Sequence, residues 1–200
     1  KDQDVISGKG KKVSYKKVIE TLTSSRENIK NLVEEEFRLV LRGSNGSGKT
    51  QMAVTIALEI LANFDLENEN PRKFFFLPAS NIKNIMFDNE KLPEIQRKIH
   101  KSDVLILDDL GVESLHDNNQ TTYIWDCLNN LIRSFNGFLI ITTNLNVDLR
   151  KVYKQNKRLA SVLVQASEHE HGDFNNLFYT VTTPEGKERR KKVNKNVTFL

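Results

Sequence analysis

Apolar residues in this chain gather into short, nearly continuous runs. Between the runs lie longer stretches where apolar positions recur every three or four residues. The continuous runs are Phe37–Leu41, Lys73–Leu77, Val104–Leu107 and Phe138–Thr142. A strand covered on both faces reads this way, because neither row of its side chains meets water. The periodic stretches predict helices over 14–34, Gln51–Phe64, around 93–100, and over Thr121–Phe135. In the second of these, Met52, Ile56 and Ile60 share a face. Asn70–Pro71 marks a turn, Pro78 ends a strand, and Ser80 can cap a short helix running to Phe87. Two short helices near 147–154 and 156–166 follow. A last strand at Leu177–Thr183 and a turn at Glu185–Gly186 complete the pattern. Residues 1–12, polar and rich in Lys and Gly, read as a linker, and no internal repeat is visible.

Strands that alternate with helices and are apolar on both sides imply an α/β fold, a doubly wound and mainly parallel sheet. Such a sheet binds its ligands at the carboxyl ends of the strands. A chain of 200 residues suffices for one such domain with a sizeable core.

Composition narrows the class. No run approaches 18 consecutive apolar residues, so a membrane-spanning helix and a membrane partner are not expected. The N-terminal stretch is basic but lacks the apolar core of a signal peptide. The chain opens on Lys1 rather than Met, so a further N-terminal module in the parent protein is an open expectation. One cysteine, Cys127, rules out an internal disulfide and a thiolate zinc cluster, and fits a reducing, cytoplasmic setting. His169 and His171, among Glu168, Glu170 and Asp173, read mainly as a solvated loop and secondarily as a metal site. The formal net charge is +4, unevenly spread. Residues 1–18 hold six Lys against two Asp, and residues 187–200 hold six Lys or Arg against one Glu. The body between them is acidic to neutral. Basic ends suit a polyanion such as nucleic acid, and equally suit solvated tails.

Chemistry is concentrated at three strand ends. Gly43-Ser44-Asn45-Gly46-Ser47-Gly48-Lys49-Thr50 fits G-x-x-x-x-G-K-[ST] at every fixed position. Triphosphate binding needs closely spaced backbone N–H donors, which glycines leave uncovered, and the helix that begins here adds its positive dipole end. Gln51 extends that donor set. Lys49 is expected on the β- and γ-phosphates of ATP, and Thr50 on Mg2+. The run Val104–Leu107 ends in Asp108 and Asp109. Asp108 is expected to hold Mg2+, through water, and Asp109 to orient or deprotonate the attacking water. The run Phe138–Thr142 leads to Thr143 and Asn144, and Asn144 could bond the γ-phosphate or that water. Asn also suits a cap or turn.

These residues resemble a family. Gly43–Thr50, Leu105-Ile106-Leu107-Asp108-Asp109-Leu110-Gly111 and Ile141-Thr142-Thr143-Asn144-Leu145 look like the DnaC/DnaI/IstB group of AAA+ ATPases. Phe74–Ile82 is similar to that group's second strand and helix, and Gly186–Arg190 to its closing Gly-x-x-x-Arg. The resemblance covers roughly 35–192. It implies an AAA+ core without a substantial helical lid, which agrees with the little chain left after residue 183. It also implies ATP hydrolysis in DNA replication, with a replicative helicase and single-stranded DNA as partners. On the resemblance Asn144 is the sensor-1 residue, and Arg190, or Arg189 beside it, the sensor-2 arginine. The family's Arg-x-x-Ser-Arg-Leu is here Arg158-Leu159-Ala160-Ser161-Val162-Leu163, so Val162 stands where the arginine finger belongs. Either Arg158 or Lys157 substitutes, the finger is absent, or the alignment shifts here. A homo-oligomer that stimulates its own hydrolysis is therefore in doubt.

The expected organisation is a basic linker and helix over 1–34, an AAA+ core over 35–186 and a basic tail over 187–200. The alternatives are an IstB-like transposition ATPase, an ATP-dependent switch with negligible turnover, and a P-loop kinase. The kinase reading is weak, since Arg133 is the one arginine between 111 and 135.

Overall fold

The computed structural model describes residues 4–7, 12–34, 36–64, 73–88, 90–111, 118–144 and 178–181. From the N-terminus, β1 (Asp4–Ser7) and β2 (Lys12–Ser14) pair antiparallel, and helices α1 (Tyr15–Leu22) and α2 (Arg26–Glu34) follow. Then come β3 (Arg38–Arg42), α3 (Lys49–Phe64), β4 (Phe74–Pro78), α4 (Ala79–Met86) and α5 (Lys91–His100). The series continues with β5 (Val104–Leu110), α6 (Asn118–Arg133), β6 (Phe138–Thr143) and β7 (Phe178–Val181). All seven strands form one sheet in the order β2-β1-β7-β3-β6-β5-β4. The five strands from β7 to β4 are parallel, and β1 joins β7 antiparallel. The expected α/β class, a doubly wound and mainly parallel P-loop sheet, is borne out.

Alternation along the central strands builds two cores, one on each face. Leu39 and Leu41 of β3, Val104 and Ile106 of β5, and Phe138 and Ile140 of β6 face α1, α2 and α3. Val40, Leu105, Leu107, Leu139 and Ile141 face α4, α5 and α6. All of these side chains are buried, which is why the runs carry no polar residue until their ends. The winding sets the site. The chain leaves β3 for the far edge at β4 and returns through β5 and β6, and β7 then falls on the other side of β3. The carboxyl ends of β3, β5 and β6 are therefore adjacent.

Three elements differ from expectation. Residues 4–7, read as part of a polar linker, and 12–14, at the junction of that linker with the expected helix, are strands of the main sheet. The single helix expected over 14–34 is two, because Thr23-Ser24-Ser25 interrupts it. Thr23 Oγ1 and Ser24 Oγ donate back to the carbonyls of Ile19 and Thr21, while Ser25 Oγ accepts from the Asn28 N–H. Short hydroxyl side chains compete with the helix's own ladder and favour a stop and restart. Ser14 caps the first of the two helices, accepting from the Lys17 N–H. Finally, β5 does not end at Leu107 but runs on to Leu110. The helices expected near 147–154 and 156–166, the turn at Glu185–Gly186 and the basic tail lie outside the described residues, as does the region of any lid.

Candidate nucleotide site

The loop between β3 and α3 holds Gly43–Gly48. Gly46 and Gly48 have φ of 76° and 88°, a left-handed backbone that favours glycine. Two backbone bonds fold the loop over the helix start: Ser47 N–H to Ser44 O at 3.2 Å, and Met52 N–H to Gly48 O at 2.9 Å. Gly43 N–H donates to Thr143 O at 3.2 Å and ties the loop to β6. Ser44, Asn45, Gly46 and Gln51 are exposed at the rim, while Ser47 and Lys49 are buried. The first-turn N–H groups of α3, on Lys49, Thr50 and Gln51, have no carbonyl four residues back within the helix. They form a ready cradle for an anion.

The two acidic residues sit inside β5, at a bulge. Leu107 pairs with Ile141 and Leu110 with Thr143, so three steps on β5 match two on β6. Asp109 absorbs the extra residue with φ of 54°. The alternation shows the same event. Leu105 and Leu107 face α6, and that row resumes at Leu110 rather than at 109. Asp108 is thereby left on the α3 side.

Side chains from three elements then close a ring of hydrogen bonds. Thr50 Oγ1 donates to Asp108 Oδ1 at 2.8 Å, and Thr142 Oγ1 donates to the same oxygen at 2.6 Å. The Asp109 N–H donates to Thr142 Oγ1 at 2.9 Å. Asn144 Nδ2 donates to Asp109 Oδ1 at 3.2 Å. Lys49 Nζ donates to Asn144 Oδ1 at 2.7 Å and to the Ser44 carbonyl at 2.9 Å. Since Lys49 and Thr50 are consecutive, the ring is continuous. Burial pushes the Lys49 ammonium below its ordinary value, and the charges of Asp109 and Asp108 oppose that shift. The ammonium thus bonds a backbone carbonyl and an amide oxygen, with two carboxylates near.

The structure brings Gly43–Gln51, Asp108, Asp109 and Asn144 together as expected. Arg190, Arg189, Arg158, Lys157, Val162, His169 and His171 lie outside the described residues. Among the described residues, no group of three or more His, Cys, Asp or Glu could hold a metal. Arg133 does not reach the site. It bonds Asn129 within α6, and its charge acts on Arg38, at the opposite end of β3 from the P-loop. Sequence reasoning missed the Thr142 hydroxyl and the bulge. The bulge had a signal, the broken alternation at Leu107 and Leu110.

A hard oxygen set suits Mg2+, and the Thr50 hydroxyl lies within 2.8 Å of the Asp108 carboxylate. The site's residues therefore fit the ion. A Gly-rich loop and helix start beside a strand bearing acids, within a β7-β3-β6-β5-β4 parallel sheet, define a P-loop nucleotide-binding protein of the AAA+ type. Residues 11–172 match the family described as IstB-like ATP binding protein, and the chain belongs to that family. Solved structures agree on the fold. The DnaC helicase loader is similar at TM-score 0.52 and 20% identity, over 84% of this chain and 86% of that one. DnaI is similar at 0.57 and 19%, over 84% and 80%. AMPPCP-bound DnaA from Aquifex aeolicus is similar at 0.54 and 16%, over 82% of this chain but 46% of that one. No curated protein sequence matches. No described helix is long and apolar enough to cross a membrane.

Proposed function

We propose that this protein is a Mg2+-dependent ATPase of the helicase-loader kind, acting on single-stranded DNA with a replicative helicase in the cytoplasm. The observation that carries the ATPase reading is the closed ring from Lys49 through Asn144, Asp109, Thr142 and Asp108 to Thr50. It sets an acid for metal, an acid for water and a cation for phosphate at one strand-end crevice. The loop from Gly43 to Gly48 wraps the phosphates, the N–H groups of Lys49, Thr50 and Gln51 bond them, and Lys49 turns from Ser44 and Asn144 to the β- and γ-oxygens. Thr50 and Asp108 would hold Mg2+, which would neutralise the charge that builds up on the phosphates. Asp109 accepts the proton of the water whose oxygen attacks the γ-phosphorus as the bond to ADP breaks. Asn144, once Lys49 leaves it, can bond the γ-phosphate or that water.

The loader assignment draws on the likeness to the DnaC helicase loader and on the basic ends of the chain. In it, Arg190 serves the nucleotide and the basic ends contact DNA phosphates. With Val162 at the finger position, hydrolysis is slow until a partner supplies a cation, and a homo-oligomer alone does not. A second reading, the ATPase partner of a transposase, is favoured by the family match itself. Turnover measured with helicase or with transposase present separates the two.

Asp109→Asn tests the chemistry. It keeps the shape and removes the base. A fluorescent ATP analogue should bind as in the wild type, with turnover lower by about 10²-fold or more. Equal loss of binding and turnover would move Asp109 into the metal's set of ligands and overturn the assignment.

A further inference from the structure

We infer that Thr142 is a positioning residue of this site. Its hydroxyl couples the metal-holding and water-activating acids so that neither can take its working place without the other. The inference rests on the reading of Asp108 and Asp109 given above.

The Thr142 hydroxyl is fully buried and does two things at once. It accepts from the Asp109 backbone N–H at 2.9 Å and donates to Asp108 Oδ1 at 2.6 Å. The first bond anchors the one residue of the acidic pair with a left-handed backbone, φ 54°. For a side chain with a Cβ such a conformation is unfavourable and needs fixing from outside. The ladder cannot supply this, since β5 and β6 are out of register between Leu107 and Leu110. The second bond shares Asp108 Oδ1 with the Thr50 hydroxyl. Two donors on one oxygen hold the carboxylate's rotation and occupy that oxygen. Because each hydroxyl has one proton, Thr142 gives its own to Asp108 and can only accept from Asp109. That fixes the direction of both bonds and ties the bulge to the carboxylate. The next hydroxyl, on Thr143, instead donates to Leu110 O at 2.7 Å, beyond the bulge. The strand thus clamps the bulge from both sides, with the Thr142 side at the acids.

Valine matches threonine in shape and lacks the hydroxyl, while serine keeps the hydroxyl and loses the methyl. Purified Thr142→Val and Thr142→Ser proteins should be compared with the wild type in three measurements. These are steady-state turnover, affinity for a fluorescent ATP analogue in EDTA and in Mg2+, and the thermal midpoint. Thr142→Val should lower kcat by about 10- to 100-fold with KM nearly unchanged. It should raise the Mg2+ concentration needed for half-maximal tightening of nucleotide binding, and leave affinity in EDTA as in the wild type. Thr142→Ser should restore kcat and the Mg2+ requirement while melting below the wild type. Wild-type kinetics in Thr142→Val, or a serine variant as impaired as valine, overturns the positioning role. If Thr142→Val does not fold, Thr142→Ala takes its place in the same measurements, and a wild-type kcat and Mg2+ requirement in that variant overturn the positioning role. A wild-type protein with no turnover and no Mg2+ effect on binding would instead sink the ATPase reading itself.

Discussion

Lys49 shows how the protein's own groups hold a single residue at this site. Lys49 is buried, and its ammonium donates to Ser44 O and Asn144 Oδ1, with Asp109 and Asp108 near. These partners are a carbonyl, an amide and partial charge compensation, weaker for an ammonium than phosphate oxygens. Lys49→Ala should weaken binding of a fluorescent ATP analogue by about 2–4 kcal/mol, roughly 30- to 1000-fold. Unchanged affinity would remove Lys49 from the phosphate site. The lysine, the threonine beside it and both acids were legible in the sequence, because motif spacing states which backbone and side-chain groups must converge. Thr142 was not. One hydroxyl near a strand's end looks like any other until the partner strand's register is known, and the register here is irregular.

Secondary-structure elements were read well where burial dictates them and poorly where a few polar contacts do. The apolar runs of β3, β4, β5 and β6 and the periodic face of α3 announce themselves, since two-sided burial tolerates little else. The split between α1 and α2 turns on three hydroxyls, and β1 and β2 are strands only because β7 offers them an edge. One contact between elements makes a measurable difference. Tyr15 of α1 donates to Thr55 Oγ1 of α3 at 3.3 Å, and burial pushes its phenol pKa up, against the Thr55 bond that lowers it. With the folded value above the ordinary 10.0, the unfolded chain loses the proton first. Stability from this group is complete below pH 10 and falls as pH rises through the folded value. Tyr15→Phe should cost about 0.5–1.5 kcal/mol at neutral pH and flatten the alkaline loss. Urea midpoints of both proteins from pH 8 to 11 check this; parallel curves would show that Tyr15 does not titrate differently in the fold.

At the scale of the molecule, the N-terminal strand pair finishes a sheet that the P-loop topology leaves open beside β7. β1 lies between β2 and β7, so the N–H groups of β1 point at one neighbour or the other. Ile6→Pro removes one of these donors and cannot sit well in an interior strand. It should free the β7 edge, lower the melting temperature and cause association that grows with concentration, seen by sedimentation velocity. A monomer unchanged over a hundredfold concentration range would mean the edge is protected otherwise. The same pairing bears on how the protein is made. Val5 meets Val181 across nearly the whole chain, and β3, at the heart of the sheet, takes β7 as a neighbour late. On a ribosome β1 and β2 emerge first and wait with no third strand to join while the P-loop, α3 and β4 through β6 follow. A nascent chain of this protein therefore carries an unfinished sheet margin until β7 has been made, and contacts so distant in sequence form slowly. Slowing elongation between β6 and β7 prolongs that exposure, and with it the dependence on chaperones.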